Sequence, residues 1–152
     1  MNNESGRSLI EVIGVMAIVG IMSVGTLGAY NAFRANQVRT IANAELEQNA
    51  QNTKILLEAR GSYAGVSVDY LVKSGAIKTN VAPLGGDDWS VTPSIDGTYF
   101  SINLVGLTNG ECNYFVSKQP TWASEILVNG FDSLSGDNCF DSGTNEISFI
   151  VE

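Results

Sequence analysis

Glu11 is the residue whose surroundings most need explaining. It is the single charge in residues 9–33, LIEVIGVMAIVGIMSVGTLGAYNAF, and a carboxylate placed in hydrocarbon costs roughly 2.5–3.5 kcal/mol on insertion scales. Such a group sits at an interface or finds a cation. Arg7, four residues earlier, is a candidate in cis, although base before acid is the weaker i,i+4 order on a helix. The cysteines Cys112 and Cys139 are the second reactive pair, far apart and without a CxxC pattern. In an oxidising compartment they would form one disulfide, closing a loop worth roughly 3.5 kcal/mol in the chain-entropy model; free buried thiols are the alternative. Third, Asp132, Asp137 and Asp141, with Ser135 and Asn138 between them, offer oxygen ligands for calcium. Their spacing lacks the alternating ligands, invariant glycine and bidentate glutamate of an EF-hand. A solvated loop is expected there, with no metal and no cofactor.

Covalent and acid–base catalysis find little to work with. The chain has no histidine, the commonest general base and metal ligand. Neither a Gly-x-Ser-x-Gly elbow nor a phosphate-cradling loop is present, so no enzyme is expected. A net charge of -8 with only eight Lys and Arg disfavours nucleic acid as a partner, because that affinity comes from cations neutralising phosphates.

The element that must carry Glu11 is a helix. From 12 to 33 no residue is charged, and at 1.5 Å per residue that run would be about 33 Å long, enough to span a bilayer core. A secretory signal peptide would need a basic leader and a shorter apolar core, whereas MNNESG has no Lys or Arg. Beyond it, Val38, Ala42, Leu46, Ala50, Thr53 and Leu57 recur every three or four residues, with Ile41 and Leu56 beside them, and no Pro or Gly intervenes before Gly61. One helix of about 50 residues is predicted, apolar all round in its first half and one-sided in its second. Counting positive charges on either side of the apolar run leans towards a cytoplasmic carboxyl domain, by a margin of one or two residues.

About 115 residues remain outside the membrane-length segment, enough for one compact domain. Gly61 reads as the helix stop and Ser67 as the cap of a short helix over 68–73, with Gly75 past its end. Residues 83–88, PLGGDD, read as a surface loop. Strands are predicted at 89–92 and 99–104 around a turn at 95–98, then at 126–129 and 146–151. A short helix through Cys112 to residue 117 is predicted between the second and third strands.

Gly6-Arg7-Ser8-Leu9-Ile10-Glu11 resembles the processing site of type IV prepilins and of the related pseudopilins of type II secretion. That resemblance implies cleavage after Gly6 by a prepilin peptidase, methylation of the new terminus at Arg7, and pairing of Glu11 with the terminal amine of a neighbouring subunit. Arg7 stands where the family usually has an apolar residue. The Gly-Gly turn, the first cysteine in a short helix, a V-N-G segment and the second cysteine before the last strand look most like type IVb pilins, in which the two cysteines, here Cys112 and Cys139, bound a disulfide-closed region.

The expected fold is therefore α+β: a long amino-terminal helix packed on a small antiparallel sheet, with a leader at 1–6, a membrane or filament-core half-helix at 7–33, an amphipathic half at 34–60 and a head at 61–152. The expected function is a structural subunit held in the inner membrane with its carboxyl domain periplasmic, then polymerised by inner-membrane machinery into an extracellular homo-oligomeric filament. A pseudopilin or minor pilin is the alternative within the resemblance. A membrane-tethered periplasmic binding module is the alternative of another class.

Overall fold

The computed structural model describes residues 9–85, 88–135 and 138–152. Gly6 and Arg7, and with them the leader, lie outside the described residues, as does Asp137. The chain divides into two compact units, Met1–Val38 and Arg39–Glu152. Helix α1, Leu9–Glu58, runs through 50 residues without a break, as the stripe and the lack of breakers predict. Its apolar run includes residues 20–25 and 27, whose side chains lie outside the described residues. Among the described residues no helix is long and apolar enough to cross a membrane.

In the first unit the described side chains of α1 are exposed, Val12, Ile13, Val15, Met16, Ile18, Val19, Tyr30 and Phe33 among them. In the second unit the helix becomes one-sided. Ala42, Leu46, Ala50, Thr53 and Leu57 are buried, and Thr53 satisfies its hydroxyl by donating to the Asn49 carbonyl at 2.7 Å. The stripe is shorter than its sequence pattern: Val38, its first member, stays 44% exposed, and Ile41 beside it 66%. Periodicity marks a face but not how far a packing partner reaches along it.

The helix ends at an αL glycine. Gly61, with φ +70°, donates to the Glu58 carbonyl, a conformation other residues adopt at a cost. Helix α2, Val68–Ser74, starts where Ser67 accepts the Tyr70 N–H and ends at Gly75 with φ +77°. Among the described residues five strands follow: β1 Asp88–Pro93, β2 Phe100–Leu107, β3 Glu125–Val128, β4 Phe131–Asp132 and β5 Asn145–Val151. They form one antiparallel sheet in the order β1-β2-β5-β3-β4. Helix α3, Asn109–Ser117, joins β2 to β3 and opens on a capping box between Thr108 and Glu111.

Alternation sets the sheet's inner face. Phe100, Ile102 and Leu104 on β2 and Ile147, Phe149 and Val151 on β5 are buried, as their spacing predicts, and Phe115 of α3 packs edge-on against Phe149 at 5.3 Å. Strand β2 runs three residues past its predicted end, through a bulge between Leu104 and Leu107 where Gly106 has φ +78°. Glycine and the extra residue hid that continuation. Strand β4 was not predicted; the Asn129-Gly130 turn, with φ of +51° and +83°, folds Phe131 and Asp132 back onto β3.

Candidate assembly surfaces

Glu11 lies in the first turn of α1, exposed among exposed apolar neighbours. A carboxylate there is favoured by the partial positive charge of the helix start. The apolar side chains around it, Val12 at 43%, Val15 at 62% and Met16 at 72% exposure, form the kind of patch that a soluble monomer does not leave uncovered. Glu11 is the one charged side chain among residues 9–33.

The cysteines, 27 residues apart, are joined. Cys112 is held by α3 and Cys139 by a loop, with Cα atoms 5.8 Å apart. Asn109, at the start of α3, reinforces that link by donating from Nδ2 to the carbonyls of Cys139 and Phe140.

Asn145, which the sequence reading passed over, organises the same region. It is completely buried, and its amide group donates to the carbonyls of Leu107, Phe140 and Ser142 at 2.9–3.1 Å. Its Oδ1 accepts from the Phe140 N–H at 2.7 Å and from Asn129 Nδ2 at 3.0 Å. Asn129 in turn bonds the Asn138 carbonyl and the Glu146 N–H. Every donor and acceptor of a buried amide is thereby used, as burial requires. Two asparagines pin the disulfide-closed loop to the sheet. No spacing rule announces this, although an asparagine before an alternating strand and an Asn-Gly turn were both in view.

The acidic loop is not assembled as a metal site among the described residues: Asp132 Oδ1 caps the Leu134 N–H at 2.9 Å, Asp141 is exposed, and no group of three His, Cys, Asp or Glu side chains could hold an ion. Asp132 and Glu125 instead border a hollow of about 240 Å³ with Gln119 and Leu134. At the other end of the sheet, the β1–β2 turn is fixed by Asp96, whose carboxylate accepts from the Ser94 hydroxyl and from the Thr98 N–H and hydroxyl. Those bonds, led by that of Ser94, hold its carboxyl below the usual carboxylate range.

No protein-family model matches the chain, and no curated protein matches its sequence. Among solved structures it is similar to TcpA, a type IV pilin from Vibrio cholerae El Tor biotype, with a TM-score of 0.62 and 14% identity, over 76% of this chain and 99% of that one. At that identity the likeness is one of fold. A long helix packed on a small antiparallel sheet, closed by a carboxyl-terminal disulfide, gives this chain the pilin fold.

Proposed function

We propose that the chain is the structural subunit of a type IV pilus: a prepilin cut after Gly6 by a prepilin peptidase and polymerised through its amino-terminal helix into an extracellular filament. The observation that supports this most is the pairing of a pilin-fold head with a helix whose first half leaves its described apolar side chains exposed. Before assembly the uncharged run of residues 12–33 resides in the inner membrane, with the head and its disulfide on the oxidising, periplasmic side. Assembly exchanges lipid contacts for helix contacts, so the apolar run loses little on leaving the bilayer. Glu11 supplies the register by meeting the terminal amine of a neighbouring subunit, an attraction that strengthens as the helices exclude water. The chain does no catalysis in this role.

The test is substitution of Glu11 together with mass determination of the mature terminus. A protein beginning at Arg7, and a Glu11→Ala variant that stays in the membrane fraction while surface filament falls at least tenfold, are expected. An uncut chain, or normal filament yield from Glu11→Ala, overturns the reading. Abundance in the sheared surface fraction separates a major pilus subunit from a pseudopilin, which is made in few copies.

A further inference from the structure

Two cations meet over one ring at the start of the second unit. Arg39, its first residue, lies on α1 with its guanidinium carbon 6.0 Å from the centre of the Tyr114 ring, and Lys118 Nζ stands 6.0 Å from the same centre. Arg39 and Tyr114 are half-buried and Lys118 is exposed. Gly110 leaves room for the guanidinium, since a Cβ there would come 2.9 Å from one of its nitrogens. Like charges gathered on one side chain repel, and an anion beside them relieves that repulsion. The chain supplies none. Among the described residues neither cation forms an ion pair, and Glu111, the acid of α3, has its Oε2 taken by the N–H and hydroxyl of Thr108.

The sequence around Arg39 points the same way. The chain has 16 acids against eight cations, yet residues 12–44 hold no acid and two cations, Arg34 and Arg39. The uncharged run ends at Phe33 and α1 continues unbroken, so Arg39 follows that run by six residues, about 9 Å of helix rise. A bilayer's headgroup layer extends roughly 5–8 Å beyond the hydrocarbon on each side. Helix side chains lean towards the amino terminus, which for Arg39 is back towards the apolar run. A long cationic side chain spans the remaining distance with its stem on apolar surface and its charge among the headgroups. Tyrosine, with an apolar ring and a polar tip, is enriched at that same depth.

We infer that Arg39 and Lys118 clamp the phosphates of anionic lipid headgroups, holding the start of the second unit on the membrane surface before assembly. This deepens the filament reading above and rests on its membrane-stored subunit. The guanidinium fork takes a phosphate bidentately, and the ammonium adds a point charge beside it. A lipid surface is the occupant because the cations follow directly on the apolar run, and the bilayer that surrounds that run presents its own phosphates there. The clamp also gives Arg34 and Arg39 a partner on the periplasmic side, where simple charge counting disfavours them. Extraction of a subunit into a filament has to break this contact.

Lysine acylation of the full-length chain in reconstituted vesicles, read residue by residue by mass spectrometry, tests this. In neutral phosphatidylcholine vesicles Lys118 should react as fast as Lys73 and Lys78, which are also exposed. In vesicles containing anionic phosphatidylglycerol it should react at least fivefold more slowly, with Lys73 and Lys78 unchanged, and high salt should undo the protection. Arg39→Gln should remove most of that protection, and Arg39→Lys should keep at least half. Equal reactivity of Lys118 in both vesicles, or full protection in Arg39→Gln, overturns the inference. Equal protection by inorganic phosphate in neutral vesicles marks a free-phosphate site, and protection that grows with protein density there marks a second copy; either overturns it. A chain that survives an alkaline wash in the vesicles while Lys118 stays reactive overturns this inference and leaves the membrane-stored subunit standing, whereas a chain that washes out overturns both.

Discussion

Buried amides are strict bookkeepers of geometry, and Asn145 shows what one can hold in place. Five hydrogen bonds from one fully buried side chain tie β5 to the end of β2, to the Cys139 loop and to Asn129. Replacing it by alanine removes the side-chain partner of the Phe140 N–H and of the Leu107 and Ser142 carbonyls at once, while the Phe140 carbonyl keeps Asn109, and each group left unpaired costs about 1–3 kcal/mol. Asn145→Ala should therefore destabilise the head by on the order of 3 kcal/mol or more, measured by denaturant unfolding with the disulfide intact. Asp96 makes the opposite kind of contribution, local and titratable. Its folded-state pKa is depressed by the Ser94 and Thr98 hydrogen bonds, so its contribution is fully present above the ordinary carboxylate value of about 4. It is lost as pH falls through the lower folded value. Protection of the Thr98 amide against hydrogen exchange, relative to its intrinsic rate at each pH, should fall as pH drops below the ordinary carboxylate value of about 4, and an Asp96→Asn variant should abolish that acid-side change.

At the level of elements, α1 explains both what was legible and what was not. Its continuity over Leu9–Glu58 follows from local composition, and the buried positions Ala42 to Leu57 follow from a period that every residue of the stripe obeys. The alternation in β2 and β5 was legible for the same reason, as were the Ser67 cap and the joined cysteines. What local pattern could not convey was where distant chain arrives. Val38 keeps the period yet stays exposed, β4 exists only because the Asn129-Gly130 turn returns it to β3, and Asn145 gains its role from a partner 38 residues away. The candidate site divides likewise. Glu11 declared itself by its company, whereas the Asn145 and Asn129 hydrogen bonds required the topology. The difference along α1 is measurable: Leu46→Ala, at a site with no exposure, should cost about 2–5 kcal/mol of head stability. Ile41→Ala, at 66% exposure, should cost under about 0.5 kcal/mol in the same unfolding measurement.

Taken whole, the molecule has one packed unit and one whose described side chains are bare: the Phe100, Phe115 and Phe149 core and the Cys112–Cys139 disulfide stabilise the head, whereas the described apolar side chains of the first unit are exposed. The order β1-β2-β5-β3-β4 has a further consequence for biogenesis. The central strand, Asn145–Val151, is the last of the five to leave the ribosome, and until it does β2 and β3 have no neighbour in common. A nascent chain stalled before residue 145 should be digested by protease as rapidly as a denatured one, and one stalled well beyond it should resist. The sheet thus cannot close in the order in which its strands are made, and its middle is filled after both of its flanks.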